Sequence, residues 1–351
     1  MPPSTTTMQG VILTGHGGPE MLEWRDDLPI PEPGPHEVLI KTSAAGVNNT
    51  DINTRVGWYS KGDGDAEDAA WGGNALEFPR VQGIDVCGQI VELGADINAS
   101  RIGERVLVEP CLRYANGDQL KTPWFVGSEC DGGFAQYMRV DARHAYPIDS
   151  LLSDIELASF PCSYSTAENM LTRASVTEKD RVLVTGASGG VGSAAVQLAK
   201  ARGAHVIAVT SASKADQLHA IGADEIVRRD ENYVAVLGNN SVDVVIDLVA
   251  GPQWPTLLEV LVPQGRYAVS GAIAGPIVEL DVRTLYLKDL VLMGCTVLEP
   301  FVFANLIKRI EQEEIKPLVA KTFPLREIGA AQTLFDAKQH VGKIVLDVEN
   351  S

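Results

Sequence analysis

Val182-Leu183-Val184-Thr185-Gly186-Ala187-Ser188-Gly189-Gly190-Val191-Gly192-Ser193-Ala194-Ala195-Val196-Gln197-Leu198-Ala199-Lys200 runs from an apolar strand through a glycine-rich turn into an alanine-rich helix. Glycines in such a turn let the backbone fold tightly and approach a pyrophosphate. The N–H groups at the helix start, reinforced by the helix dipole, then hold the negative charge. The spacing is Gly186-x-x-Gly189-x-x-Gly192 with Gly190 in addition, a small departure from G-x-G-x-x-G. The strand before it and the helix after it supply the context that a bare glycine triplet lacks. Gly186, Gly189, Gly190, Val191 and Gly192 are therefore read as dinucleotide-binding positions.

Strand and helix patterns alternate through this region: Arg181–Thr185 then Gly192–Arg202, His205–Thr210 then Lys214–Ile221, Val242–Asp247 then Gln253–Leu261. Alternation of this kind predicts a parallel sheet covered by helices, and right-handed crossovers make it doubly wound. The residues before about 150 have another texture, with short β-branched runs such as Val38–Lys41, Gln89–Glu92 and Arg105–Val108 between turn residues. The Gly- and Asp-rich stretch between Trp58 and Pro79 is long for a hairpin connection and reads as a surface loop or lid. A helix over Phe303–Glu314, a strand-like Thr322–Leu325, a helix over Ile328–Gln339 and a strand over Lys343–Val348 close the chain and are expected to return to the first domain. The prediction is an α/β protein with residues 1–155 and 300–351 in a β-rich domain and 156–299 in the nucleotide-binding domain.

An NAD site places an acidic residue at the end of the second strand, on the ribose 2′-OH. Here His205–Val209 is followed by Thr210-Ser211-Ala212-Ser213-Lys214, with no carboxylate, and Arg228-Arg229 follow the next short strand. Hydroxyls and positive charge suit a 2′-phosphate, so Ser211, Lys214 and Arg229 point to NADP(H). The rival reading leaves Lys214 and Arg229 as solvated surface charge.

A net charge of −17 and the lack of a Lys/Arg-rich run argue against nucleic acid and anionic membranes as partners. Apolar stretches such as Val242–Val249 are too short for a membrane helix, and Met1–Thr7 lacks the features of a signal peptide. Five scattered cysteines with no Cys-x-x-Cys pair suggest reduced thiols. A soluble cytoplasmic protein is the expectation.

Several further motifs agree in order: Gly15–Glu20, Gly46-Val47-Asn48-Asn49-Thr50-Asp51, Gly83-Ile84-Asp85-Val86-Cys87-Gly88, Asp131–Tyr137 and Val341-Gly342-Lys343-Ile344-Val345-Leu346. With the glycine turn, they make the chain resemble the medium-chain dehydrogenase/reductase superfamily over essentially its full length, most closely its zinc-free quinone oxidoreductase branch. The resemblance implies a GroES-like catalytic domain, a Rossmann domain, an active site in the cleft between them, and a homodimer or homotetramer. Zinc-dependent members carry a metal-binding Cys at the position of Asn48 and a His-Glu pair at Ile84-Asp85. The cysteine-rich structural zinc lobe is also reduced to Cys111 and Cys130. Zinc prefers thiolate and imidazole donors, so no metal is expected.

Without a Lewis acid to stabilise an alkoxide, hydride acceptors such as quinones, enals and enones are the substrates to expect. By resemblance, Asn48 lies near the nicotinamide and substrate oxygen, its amide donating to either. Tyr59 hydrogen-bonds substrate or delivers a proton, and Trp58 walls the pocket. Thr166, Gly271, Ala272, Ile273 and Lys343 belong with the cofactor site. Helix capping is the rival for Thr166 and packing for Tyr59; Cys130, beside Asp131-Gly132-Gly133, is read as a structural thiol in preference to one that reaches the active site. Asp51 is expected to organise its loop through backbone hydrogen bonds. A silent NADPH-binding protein and a zinc-type alcohol dehydrogenase homologue acting on an alcohol or aldehyde are the competing functions.

Overall fold

The structure, a computed structural model, describes residues 6–60 and 75–350. Of the loop expected between Trp58 and Pro79, residues 61–74 lie outside the described residues. The chain forms two compact units. The first comprises residues 1–162, 317–339 and 343–351, and the second residues 163–316 together with His340–Gly342. The boundaries expected near 155 and 300 are thereby corrected. The helix Val302–Glu311 belongs to the second unit, where Val302, Phe303, Leu306 and Ile310 are buried.

The first unit is built on a seven-stranded sheet in the order Ala145–Pro147, Arg105–Val108, Cys87–Leu93, Glu37–Val47, Lys343–Asp347, Val319–Pro324, with Tyr137–Asp141 also pairing with Glu37–Val47. The last strand of the chain thus lies antiparallel to Glu37–Val47, with Ile344 opposite Val47. That register brings Lys343 beside the Gly46–Asn48 turn, although some 300 residues separate them. A three-stranded sheet, Leu22–Pro29, Thr7–Leu13 and Arg80–Val81, and a hairpin, Cys111–Ala115 with Asp118–Phe125, complete the β-structure. His144 is a satisfied core residue. Its Nδ1 faces Glu109 at 2.8 Å, and its Nε2 accepts the N–H groups of Arg113 and Tyr114, which pins the hairpin.

The second unit holds a six-stranded parallel sheet in the order Glu225–Arg228, His205–Thr210, Arg181–Val184, Val242–Asp247, Leu261–Val269, Val291–Gly294. Its central strands are near-continuous apolar runs because helices cover both faces. Val182, Leu183, Val184, Val244, Val245 and Ile246 have no solvent exposure. The order reverses between Arg181–Val184 and Val242–Asp247. A crevice opens at the carboxyl ends of such strands, and this is the doubly wound architecture expected from the alternating patterns.

Candidate active site

In the first unit, three polar side chains, Asn48, Asp85 and Lys343, converge in a buried cluster. Asp85 is fully buried; its Oδ2 accepts from Asn48 Nδ2 at 2.7 Å and Lys343 Nζ at 2.8 Å, and its Oδ1 accepts from the Cys162 N–H at 2.6 Å. Lys343 also donates to Asn48 Oδ1 at 2.5 Å and to the Val47 carbonyl at 3.1 Å. Glycine at 46 permits this arrangement, since a Cβ there would lie 2.3 Å from Asp85 Oδ2 and 2.8 Å from the Ala158 carbonyl.

The geometry alters two expected roles. Asn48 spends both ends of its amide on Asp85, Lys343 and the Gly46 carbonyl, so its amide is not available to donate to a nicotinamide or substrate oxygen. Lys343 is likewise committed to the interior, because a buried ammonium needs an anion and Asp85 supplies it. The sequence signal for this pair was a carboxylate set between apolar residues, Ile84-Asp85-Val86, which once buried must find a cation or several hydrogen-bond donors.

Asp51, on the first turn of the helix Asn49–Arg55, accepts from the Asn48 N–H at 2.8 Å and the Ile84 N–H at 3.3 Å. It organises its loop through backbone bonds, as its residue type suggests. Burial pushes its carboxyl up to about 7, the bond from Asn48 opposes this, and the nearby Asp85 adds to it. An unfolded Asp titrates near 3.9. Between these values the folded protein holds a proton that the unfolded chain has released, so stability falls as pH rises from about 4 to about 7, by up to about 4 kcal/mol. Asp51→Asn is expected to flatten this fall, giving similar urea midpoints at pH 5 and pH 8 where the parent loses stability.

Tyr59 is partly exposed and donates to Thr50 Oγ1 at 3.1 Å, with Trp58 packed edge-on at 5.4 Å and itself largely exposed. Burial raises the phenol above its ordinary value, so it is protonated at neutral pH. Cys130 is an inert thiol, pushed up to about 12 by burial.

In the second unit, the helix Gly190–Ala201 starts from Gly189, and its first internal bond runs from the Ser193 N–H to the Gly189 carbonyl. The N–H groups of Gly190, Val191 and Gly192 have no partner within the helix. A Cβ on Gly192 would lie 2.2 Å from the Gly186 carbonyl and 2.7 Å from Ala187 Cα, so only glycine lets strand end and helix start close. Donors, dipole and missing side chains fit a nucleotide pyrophosphate. Beside this turn, Lys214 Nζ donates to the His340 carbonyl at 2.8 Å and reaches Ser188 Oγ at 3.4 Å, and the Gly342 N–H donates to the Ser188 carbonyl. Residues 340–342, unforeseen from sequence, thus strap the turn. Desolvation lowers the Lys214 ammonium below its ordinary value, and the Arg229 charge adds to this. Arg229 is exposed, Ser211 and Ser213 lie 3.2 Å apart, and Arg228 is neutralised by Asp230. Gly271, Ala272 and Ile273 follow the strand Leu261–Val269, with Ile273 exposed. Thr166 sits in the middle of the helix Pro161–Arg173, partly exposed, which removes the helix-cap alternative.

Residues 34–150 match the model of the alcohol dehydrogenase GroES-like domain, and residues 190–312 that of the zinc-binding dehydrogenase. A provisionally named alcohol dehydrogenase of Sinorhizobium meliloti 1021, known from a crystal structure, is 45% identical with a TM-score of 0.91, covering 98% of this chain and 97% of that one. Acryloyl-coenzyme A reductase of Metallosphaera sedula is 29% identical over 97% of this chain and 99% of its own. Quinone oxidoreductase of Rattus norvegicus is 28% identical over 97% of each. No helix among the described residues is long and apolar enough to cross a membrane. With both domain models in order and near-complete coverage by these relatives, the chain belongs to the medium-chain dehydrogenase/reductase superfamily of nicotinamide-dependent oxidoreductases.

Proposed function

We propose that this protein is an NADPH-dependent reductase of quinones or α,β-unsaturated carbonyl compounds that works without zinc. The observation that carries the reading is the buried Asn48–Asp85–Lys343 cluster. An amide, a carboxylate and an apolar Ile84 stand where zinc-dependent relatives have metal donors, and the Lys343 ammonium, 2.8 Å from Asp85, already neutralises the one anionic ligand. A dication and an ammonium cannot share that carboxylate, so these residues do not fit the metal. The relatives named acryloyl-coenzyme A reductase and quinone oxidoreductase act, by their names, on acceptors of this kind.

A bound reduced nicotinamide supplies the hydride. The chain's own residues would hold its pyrophosphate at Gly189–Gly192, meet a 2′-phosphate with Lys214, Ser211 and Arg229, and provide a proton from the Tyr59 phenol to the reduced acceptor. Thr50, as the partner of that phenol, orients it. Positioning contributes most of the rate when no Lewis acid takes part. Lys214→Ala is expected to weaken NADPH about 10- to 100-fold, the loss of one charge-assisted hydrogen bond, and to leave NADH binding unchanged. Fluorescence titration with both cofactors checks this. The reading as a whole is tested by NADPH oxidation with an ortho-quinone and with an enone, in the presence and absence of chelator.

A homodimer is part of the same proposal. Among the described residues the strand Val291–Gly294 ends the parallel sheet with one edge unpaired, and Ile277, Val282, Tyr286, Leu287, Val291 and Phe301, in it and in the chain on either side of it, are exposed. An unprotected apolar edge of this kind suits a second copy paired across a two-fold axis. Val291→Glu combined with Leu287→Glu is expected to yield a folded monomer in sedimentation velocity, against a dimer for the parent.

A further inference from the structure

We propose that Asp247 is a positioning residue for the cofactor: its carboxylate shapes the segment Leu248–Ala250, which forms part of the cofactor crevice. The proposal rests on the nicotinamide reading of the second unit.

Asp247 is the last residue of the strand Val242–Asp247 and is fully buried. Among the described residues no ion pair involves it, and hydrogen-bond donors satisfy it instead. Thr185 Oγ1 donates to Oδ1 at 2.6 Å and Tyr267 Oη donates to Oδ2 at 2.5 Å, while Tyr267 in turn accepts from Trp254 Nε1 at 2.9 Å. The remaining donors are the backbone N–H groups of Val249, at 2.9 Å, and Ala250, at 3.2 Å from both oxygens. Thr185 also accepts the Leu248 N–H at 2.9 Å. Three successive backbone donors are therefore fixed by one carboxylate and its hydroxyl partner.

The segment so held has a conformation it would not adopt unaided. Ala250 has φ +52° and ψ −138°, a region disfavoured for any residue with a Cβ. Its surroundings connect the conformation with ligand binding. Val249 Cγ2 lies 3.1 Å from where a Cβ on Gly186 would sit, and the Leu248 carbonyl lies 2.7 Å from the corresponding point on Gly271. The Ala274 N–H donates to the Val249 carbonyl at 2.9 Å. Leu248–Ala250 thus packs between the pyrophosphate turn and the Gly271–Ile273 stretch, at the point where the strand order reverses and ligands of such sheets bind. A carboxylate that only filled the core would not need to bend the chain at that point.

The test compares NADPH dissociation constants, cofactor KM, acceptor KM and urea midpoints for the full-length parent, Asp247→Asn, Tyr267→Phe, Ala250→Gly and Asp247→Asn/Ala250→Gly. Asparagine keeps one acceptor oxygen in place of two, so its NH2 must face either the Thr185 hydroxyl and the Val249 N–H or the Tyr267 hydroxyl and the Ala250 N–H, donors in both cases. Asp247→Asn is therefore expected to raise the NADPH dissociation constant and cofactor KM by about tenfold or more and to leave acceptor KM unchanged. Tyr267→Phe, which removes one donor to the carboxylate and no backbone contact, is expected to give a smaller rise, about threefold. Glycine at 250 takes up the same backbone angles without help, so the double variant is expected to recover much of the lost affinity. Parent-like NADPH affinity in a folded Asp247→Asn, or in Tyr267→Phe should Asp247→Asn not fold, would overturn the proposal, as would a double variant no better than Asp247→Asn. A parent that binds neither NADPH nor NADH would instead defeat the cofactor reading beneath it.

Discussion

Lys343→Met is expected to destabilise the protein by about 3–5 kcal/mol, the cost of leaving a buried charge without its partner. Methionine keeps the length of the side chain and removes only the ammonium. Asp85 would then retain Asn48 and the Cys162 N–H but lose the Lys343 ammonium, while Asn48 Oδ1 and the Val47 carbonyl would each lose a donor. Water cannot easily replace the ammonium, because Asp85 and Lys343 are both almost wholly shielded from solvent. Urea unfolding measures the loss. Lys343→Met/Asp85→Asn removes both charges and is expected to be clearly more stable than Lys343→Met alone, a coupling that a double-mutant cycle reads directly. If Lys343→Met unfolded at the parent's urea midpoint, the cluster would carry no charge of consequence.

Gly192→Val is expected to reduce nicotinamide cofactor affinity by about 100-fold or more, since the phosphate-binding turn itself must open. The valine Cβ would fall 2.2 Å from the Gly186 carbonyl and 2.7 Å from Ala187 Cα. Both obstacles are backbone atoms and cannot rotate aside. The helix start must therefore move away from the strand end, which misaligns the N–H groups of Gly190–Gly192 with any bound pyrophosphate. Fluorescence titration with NADPH checks this, with far-UV circular dichroism to show that the fold persists. Parent-like affinity in a folded Gly192→Val would remove the glycine turn from the cofactor site.

The doubly wound sheet could be read from sequence because its signals are local. The glycine turn marks the first strand and helix, and the runs His205–Thr210 and Val242–Asp247 coincide with the observed strands. The positions of Asn48 and Asp85 in their motifs were equally legible, but what their side chains do was not. Asp85 and Lys343 are 258 residues apart, and only the antiparallel pairing of the last strand with Glu37–Val47 brings them together. No periodicity in either segment encodes that register. The contacts of the strap His340–Gly342 were illegible for the same reason: they are with Ser188 and Lys214, far away in the chain, and are made largely by backbone atoms that carry no residue signature. The helix Val302–Glu311 was placed in the wrong unit because an amphipathic stripe shows that a helix is covered and does not show by what. Asp247 was hidden as the polar end of an apolar strand, where a carboxylate looks like a loop residue until its donors are seen.

The proposed function is reduction of a conjugated acceptor by NADPH without a metal. The most direct measurement is cofactor oxidation by purified, metal-analysed protein, comparing NADPH with NADH against an ortho-quinone and an enone, with and without chelator. Turnover with NADPH is expected to be well above that with NADH and unchanged by chelator, in protein holding no stoichiometric zinc. Activity that chelator abolishes and zinc restores, or NADPH binding with no turnover of either acceptor, would contradict it.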